Sequence, residues 1–330
     1  MEEKKIIAFE VREDEIETFR RMEQEYSVKI ECYREILDKK NVELVNGTTM
    51  VSTLGMSRFD KEMLCAVWER GVKYISTRTV GYNHIDLEEA KRLKMTVSNV
   101  SYAPNGVADY AVMLILMSLR HYKQALFRGN VNDYSLEGLQ GKEMRNLTIG
   151  VVGTGKIGAQ VITNLQGFGS RILAYDVYEN PGLKGMAEYV SLERLYRESD
   201  VITLHTPLLD STWHMINKDS IDRMKRGVML VNCARGPLID LPDLIEAVEK
   251  KKVGAVALDV VEHEEGIYHR DRRSDIIQNR DMAYLRQFPN VVMTQHMAFY
   301  TREAVDSMVS GSVKNLLQCV STGNCEMALP

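Results

Sequence analysis

Residues 147–176 read LTIGVVGTGKIGAQVITNLQGFGSRILAYD, and this stretch decides the fold. An apolar strand over Thr148–Val152 runs directly into Gly153-x-Gly155-x-x-Gly158, with Lys156 and Ile157 between the last two glycines. A helical length follows, then a second apolar strand, Ile172–Tyr175, which ends at Asp176. Alone, the glycine pattern also fits an ordinary turn. Strand, turn, helix, strand and acid in this order are what a dinucleotide-binding βαβ unit requires. The first glycine permits the tight turn, the second lets the backbone approach a pyrophosphate, and the third lets the helix pack on the strand. Amide N–H groups at the helix start then face the anion. Asp176 lies 18 residues after Gly158, near the spacing of a ribose-binding carboxylate. A negative charge there accepts from ribose hydroxyls and repels a 2′-phosphate, so the expected cofactor is NAD. Arg171 precedes the strand and is not expected to reach it.

The position of this motif matters too, because some 145 residues precede it. Short apolar runs alternate with helical lengths along the whole chain. Candidate strands are 6–9, 50–54, 73–76, 96–98, 148–152, 172–175, 201–204, 229–232, 255–258 and 291–294. This alternation predicts parallel sheets built from βαβ units. Four of the strands precede a long apolar helix at about 103–120, six follow it, and a last helix spans about 302–320. The expected class is α/β with two doubly wound parallel-sheet domains. A Rossmann nucleotide domain, 103–298, is inserted into a flavodoxin-like substrate domain made from 1–102 and 299–330. The cleft between them is the expected ligand site.

Composition narrows the function. At 330 residues the chain is long for one core, and 45% hydrophobic with 27% charged residues is ordinary for a globular protein. A net charge of −4 gives no electrostatic case for nucleic acid. The charged N-terminus lacks a signal-peptide core, and the longest apolar run, Ala111–Met117, is too short to span a bilayer. Five scattered cysteines point to reduced thiols in the cytoplasm. Neither zinc-type spacings nor a histidine cluster of His84, His121 and His214 suggests a metal, and no nucleophile elbow or Walker lysine occurs.

Polar residues stand at successive strand ends, where open α/β sheets bind ligands. His205, Thr206 and Pro207 follow one strand; Cys233, Ala234 and Arg235 follow the next. Asp259, with Glu262 and Glu264 beyond it, follows a third, and Gln295-His296 a fourth. Beside a dinucleotide, this set suits hydride transfer to a carbonyl acid. Arginine offers a carboxylate a bidentate fork. Histidine exchanges a proton near neutrality, and a neighbouring carboxylate holds its tautomer and favours its charged form. Taken singly, Arg235 also fits a structural salt bridge, Glu264 a solvated loop, and His296 or His205 a satisfied core histidine.

The chain resembles the NAD-dependent D-2-hydroxyacid dehydrogenases, and within them the D-lactate dehydrogenase branch with its vancomycin-resistance and aryl-lactate members. The likeness rests on GVKYISTRTVGYNHIDLEEAK, NVSYAPNGVADYAVMLILMSLR, GVVGTGKIG, DVITLHTPL, LVNCARGPLID, AVALDVVEHEE and FPNVVMTQHMAFYT, and covers about residues 70–325. It implies that Arg235 binds the substrate carboxylate, that His296 is the acid/base, and that Glu264 pairs with it. Asp259 would lie near the nicotinamide carboxamide. Val80 and Gly81 would offer backbone N–H groups to the carboxylate, Tyr102 and Tyr300 would line the pocket, and His205, Thr206, Pro207, Cys233 and Ala234 would lie along the cofactor. The implied activity is reversible NADH-dependent reduction of pyruvate or a larger branched or aryl 2-oxo acid to the (R)-2-hydroxy acid. A homodimer is implied, with Val112–Leu119 as a two-fold contact.

Two departures stand out. Gln295 replaces the proline that often precedes the histidine, and no bulky aromatic occurs at Leu54–Gly55, which suggests room for a larger substrate. Rival readings are a dinucleotide-sensing corepressor of the C-terminal-binding-protein type, and a hydroxypyruvate/phosphoglycerate or formate dehydrogenase. No interaction tail favours the first. The expected lack of room for a regulatory C-terminal domain, and Glu264 in place of glutamine, weigh against the others.

Overall fold

The computed structural model describes residues 4–330 of the chain. It divides into two compact units, one ending at Ala103 and resuming over Tyr300–Pro330, the other spanning Pro104–Phe299.

The first unit is built on β1 (Lys5–Ala8), β2 (Lys29–Cys32), β3 (Met50–Thr53), β4 (Tyr74–Thr77) and β5 (Thr96–Ser98). All pair in parallel, in the order 2-1-3-4-5, which is the flavodoxin-like order. Successive strand side chains point to opposite faces. Ile7, Val51, Ile75 and Val97 therefore pack with Met63, Leu64 and Val67 of helix Lys61–Glu69. Ile6, Ala8 and Met50 face the other way, onto Val309, Val313 and Leu316 of helix Arg302–Thr322. Ser52 Oγ and Ser312 Oγ, 2.8 Å apart, also join that helix to the sheet. At the end of β4 the fully buried Arg78 pairs with the equally buried Glu15 at 2.9 Å, and also donates to Ser52 Oγ and the Phe9 carbonyl.

The second unit holds β6 (Thr148–Val152), β7 (Arg171–Tyr175), β8 (Glu188–Tyr189), β9 (Val201–Leu204), β10 (Val228–Asn232), β11 (Val253–Leu258) and β12 (Val291–Met293). Their order is β12-β11-β10-β9-β6-β7-β8. Counted from β6 this is 3-2-1-4-5-6-7, the Rossmann order with one strand added, and it reverses between β6 and β9. The core lies between β9–β11 and the helices on one face, with Leu204, Leu230, Val256 and Leu258 against Leu238, Leu241, Leu244 and Val248.

All ten expected strands form. β2 and β8 were not expected: both lie at sheet edges, β2 interleaves charged residues as KIEC, and β8 is two residues long. Arg171 stands inside β7, and its guanidinium is held by Glu188 at 2.8 Å and Glu198 at 3.0 Å, away from Asp176 at the strand's other end. The apolar helix runs over Asn105–Leu119. Val112, Leu114, Ile115 and Leu119 are buried, in a helix packed against Lys156–Leu165, while Met113 of the same helix is exposed and Leu116 and Met117 are half-buried. Among the described residues no helix is long and apolar enough to cross a membrane.

Candidate active site

The glycine turn lies between β6 and helix Lys156–Leu165, with Gly155 at the helix N-cap and Lys156 and Ile157 opening its first turn. Gly153 has φ +93°, and a Cβ there would lie 2.7 Å from the His205 carbonyl. A Cβ on Gly158 would fall 1.9 Å from the Gly153 carbonyl oxygen, so helix and strand touch through bare backbone. At Gly155 a Cβ would meet nothing within 4 Å. The turn is thus tight on its protein side and open on the other, as a cradle for a pyrophosphate must be. Asp176, just past β7, accepts from the Thr154 amide at 2.5 Å and the Tyr178 amide at 3.2 Å, which holds its carboxylate beside the turn.

His205, Thr206 and Pro207 follow β9 and back this turn. Packing desolvates the His205 ring and pushes its pKa down to about 4, so the imidazole is neutral. Its Nε2 meets Thr203 Oγ1 at 2.9 Å, while the buried Nδ1 has no protein partner. A polar atom left open in this way suits a bound cofactor or an ordered water.

After β10, Asn232 shapes the Cys233–Arg235 loop by accepting from the Ala234 amide at 2.9 Å and donating to the Arg235 carbonyl at 2.8 Å. Burial, with Asp259 nearby, raises the Cys233 thiol pKa well above its usual range, so the thiol stays protonated. Gly236 then presses on the next loop. A Cβ there would lie 2.2 Å from Val261 C and 2.4 Å from Glu262 N.

After β11, Asp259 is fully buried. Its carboxylate accepts from Thr294 Oγ1 at 2.7 Å and from the Met297 and Ala298 amides at 2.9 and 2.8 Å, while its carbonyl accepts from the His296 amide at 2.8 Å. Asp259 thus anchors the segment carrying His296, which has φ +52°, unusual for a side chain of this size. Glu264 Oε2 accepts from the Val261 amide at 2.7 Å, and its Oε1 meets His296 Nδ1 at 2.5 Å. With Nδ1 engaged, Nε2 is the nitrogen free to exchange a proton with a ligand. His269, absent from the sequence expectations, donates from Nε2 to the His296 carbonyl at 3.0 Å.

In the first unit, Val80 and Gly81 follow β4 in a loop whose carbonyls are all tied back. The Thr79 carbonyl accepts from the Val100 amide at 3.2 Å, that of Val80 from Asn99 Nδ2 at 2.7 Å, and that of Gly81 from Thr79 Oγ1 at 2.6 Å. Asn315 Nδ2 in turn donates to the Asn99 carbonyl at 2.8 Å. Because C=O and N–H point oppositely across a trans peptide, the Val80 and Gly81 amides face away from these donors. Neither amide has an acceptor among the described residues. Tyr102 lies in the loop after β5. Tyr300 precedes the last helix, with the Arg12 guanidinium 5.3 Å from its ring centroid. A Cβ at Gly55 would meet only Thr79 Cγ2, at 3.6 Å.

Comparison with known proteins agrees with this geometry. Residues 112–298 match the family model for the D-isomer specific 2-hydroxyacid dehydrogenase NAD binding domain. The chain belongs to the D-2-hydroxyacid dehydrogenase family. This dehydrogenase is 41% identical to an aromatic 2-oxoacid reductase of Clostridium sporogenes over 98% of both chains. It is 37% identical to a D-lactate dehydrogenase of Lactiplantibacillus plantarum, again over 98% of each. The solved structure of the pyruvate reductase of Chlamydomonas reinhardtii superposes with a TM-score of 0.90 at 35% identity, covering 97% of both chains. The dehydrogenase is NAD-dependent, and the glycine cradle with Asp176 beside it fits that cofactor. Among its described residues no His, Cys, Asp and Glu cluster could hold a metal ion.

Proposed function

We propose that the enzyme reduces a 2-oxo acid with a branched or aryl side chain, and pyruvate less readily, to the (R)-2-hydroxy acid. The observation that carries this is the Glu264–His296 pair at 2.5 Å, set one strand beyond the Arg235 loop on an NAD-binding sheet. NADH, when bound, supplies the hydride to the carbonyl carbon. Arg235 binds the substrate carboxylate and polarises the carbonyl. His296 donates its Nε2 proton to the carbonyl oxygen as negative charge develops there, and Glu264, at its Nδ1, holds the ring's orientation. The amides of Val80 and Gly81 offer two further donors to the carboxylate, a reading supported by their tied-back carbonyls. Tyr102 and Tyr300 line the pocket. Its preference for a larger side chain is supported by the small residue at Gly55 and by the aromatic 2-oxoacid reductase relative.

The enzyme acts as a homodimer in the cytoplasm. The arm after helix Asn105–Leu119 supports the first point, because Leu126, Phe127, Val131, Tyr134 and Leu136 are 55–83% exposed. Five free cysteines support the second. Parallel assays of NADH oxidation with pyruvate, 2-oxoisocaproate, phenylpyruvate and hydroxypyruvate, with chiral analysis of the product, test the reading. Phenylpyruvate or 2-oxoisocaproate should give the highest kcat/KM and an (R) product. Preference for hydroxypyruvate, or an (S) product, would overturn it.

A further inference from the structure

His214 takes no part in the proton transfer described above, yet it is one of the most heavily engaged histidines in the molecule. It sits in the loop after β9 with φ +47° and only 15% side-chain exposure. Its Nδ1 lies 3.0 Å from Asp240 and its Nε2 3.1 Å from Glu262, two carboxylates that are themselves largely covered. Trp213 stacks on the ring with centroids 3.6 Å apart.

The three residues come from three different loops, and each carboxylate is tethered to a residue of the active site. Asp240 ends the segment that begins at Arg235. That segment is zipped to the His214 loop: the His214 amide donates to the Pro237 carbonyl at 2.8 Å, the Ile216 amide to Leu238 at 3.0 Å, and the Asp240 amide back to Ile216 at 2.9 Å. Glu262 lies two residues before Glu264, on the loop that Gly236 touches through backbone alone. One imidazole therefore spans the Arg235 loop and the Glu264 loop.

We propose that His214 is a positioning residue for reduction, a clamp that fixes the Arg235 loop relative to the Glu264–His296 pair by holding Asp240 and Glu262. The proposal rests on the roles assigned above to Arg235, Glu264 and His296. Its two arms act on different steps. The Asp240 arm sets where the carboxylate-binding guanidinium lies, and so bears on KM. The Glu262 arm sets the carboxylate that orients His296, and so bears on kcat. A dehydrogenase needs its substrate fork and its proton donor in register within a fraction of an ångström, which a loop-borne constellation lacks unless its loops are cross-braced.

Three variants test this. His214→Asn tolerates the left-handed backbone but cannot span both carboxylates. Asp240→Ser keeps a capping hydroxyl for helix Leu241–Glu249, whose cap is now Asp240 accepting from the Asp243 amide, but is too short to reach the ring. Glu262→Ala removes the other arm. With phenylpyruvate, H214N should raise KM and lower kcat, each about tenfold, D240S should move chiefly KM, and E262A chiefly kcat, while the NADH Kd stays within about twofold throughout. If H214N fails to fold, the other two variants still separate the arms. Lowered Tm with KM and kcat at wild-type values in D240S and E262A would overturn the clamp. Arg235→Lys and His296→Ala, assayed alongside, distinguish the two failures. If they too turn over normally, the assigned roles fall; if they are crippled while the clamp variants are normal, only the clamp falls.

Discussion

Gly236→Ala isolates how closely the Arg235 loop must lie against its neighbour. The added methyl would sit 2.2 Å from Val261 C, 2.4 Å from Glu262 N and 2.5 Å from Val261 O. All three are backbone atoms, so no side chain can swing aside. Carbon contacts settle near 3.5–4.0 Å, so the two loops must separate by more than about 1 Å. The contacts on either side have no such slack, since Glu264 meets His296 at 2.5 Å and the Val261 amide at 2.7 Å. Misplacing a catalytic group by about 1 Å costs about a hundredfold in rate, equivalent to about 2.7 kcal/mol of barrier. The expected result is a kcat/KM with phenylpyruvate about a hundredfold below wild type. NADH affinity, read from quenching of protein fluorescence, should change by less than about threefold, because the glycine turn lies after a different strand. Thermal unfolding controls for global damage. A variant within threefold of wild-type kcat/KM would show that the loops slide freely, and would refute the argument that backbone contact sets their spacing.

Glu264→Gln replaces the carboxylate that meets His296 Nδ1 at 2.5 Å, so kcat for reduction should fall about ten- to a hundredfold with NADH affinity unchanged; an undiminished kcat would break the pairing. His205 links stability to pH. Burial lowers its folded pKa to about 4 from an ordinary value of 6.5, so its contribution is complete above pH 6.5 and is lost as the pH falls towards 4, at up to about 1.4 kcal/mol per unit. Urea midpoints measured across that window should fall less steeply for His205→Gln, and equal slopes would count against a neutral buried ring. Arg78→Met leaves the fully buried Glu15 with only Arg12 as a cationic partner, 3.7 Å away, and should cost the first unit about 3 kcal/mol in denaturant unfolding, where a loss below about 1 kcal/mol would mean that Arg12 alone compensates the buried carboxylate. Asp176→Ala should narrow the preference for NADH over NADPH in parallel assays, and an unchanged ratio would dissociate that carboxylate from cofactor choice.

Much of this was legible in the amino-acid sequence because parallel strands buried on both faces are written as unbroken apolar runs. β9, VITL, and β10, VMLVN, are buried at every position and are recognised at a glance. β2 was invisible because an edge strand with one side in water mixes Lys29 and Glu31 with Ile30. Arg235 and His296 stand just past such runs, whereas Glu264 lies in a charged stretch and its pairing was implied only by the family resemblance. The residues that support them carried no comparable signal. His214, Asp240 and Glu262 come from three loops at no fixed spacing, and only the folded chain brings them together. Glu262 and Glu264 looked alike in sequence, and the structure sends them to different histidines. The tied-back carbonyls of 79–81 are a matter of peptide orientation, which side-chain patterning does not encode. Asp259 shows the same limit, since its position was plain but its three donors were not.

Helix Arg302–Thr322 has a consequence for how the molecule is made. Every strand of the first sheet has left the ribosome by Ser98, yet one face of that sheet is covered by Val309, Val313 and Leu316, which are synthesised about two hundred residues later. Each of those side chains contributes about 1.5–3 kcal/mol on burial. The stretch from Pro104 to Phe299 is continuous and can complete its own core as it emerges, whereas the unit begun first is finished last. During synthesis Ile6, Ala8 and Met50 therefore wait uncovered, and a chain truncated before residue 302 would leave them so permanently. Loss of the last helix should thus show as aggregation of the nascent or shortened chain, even with its nucleotide unit folded.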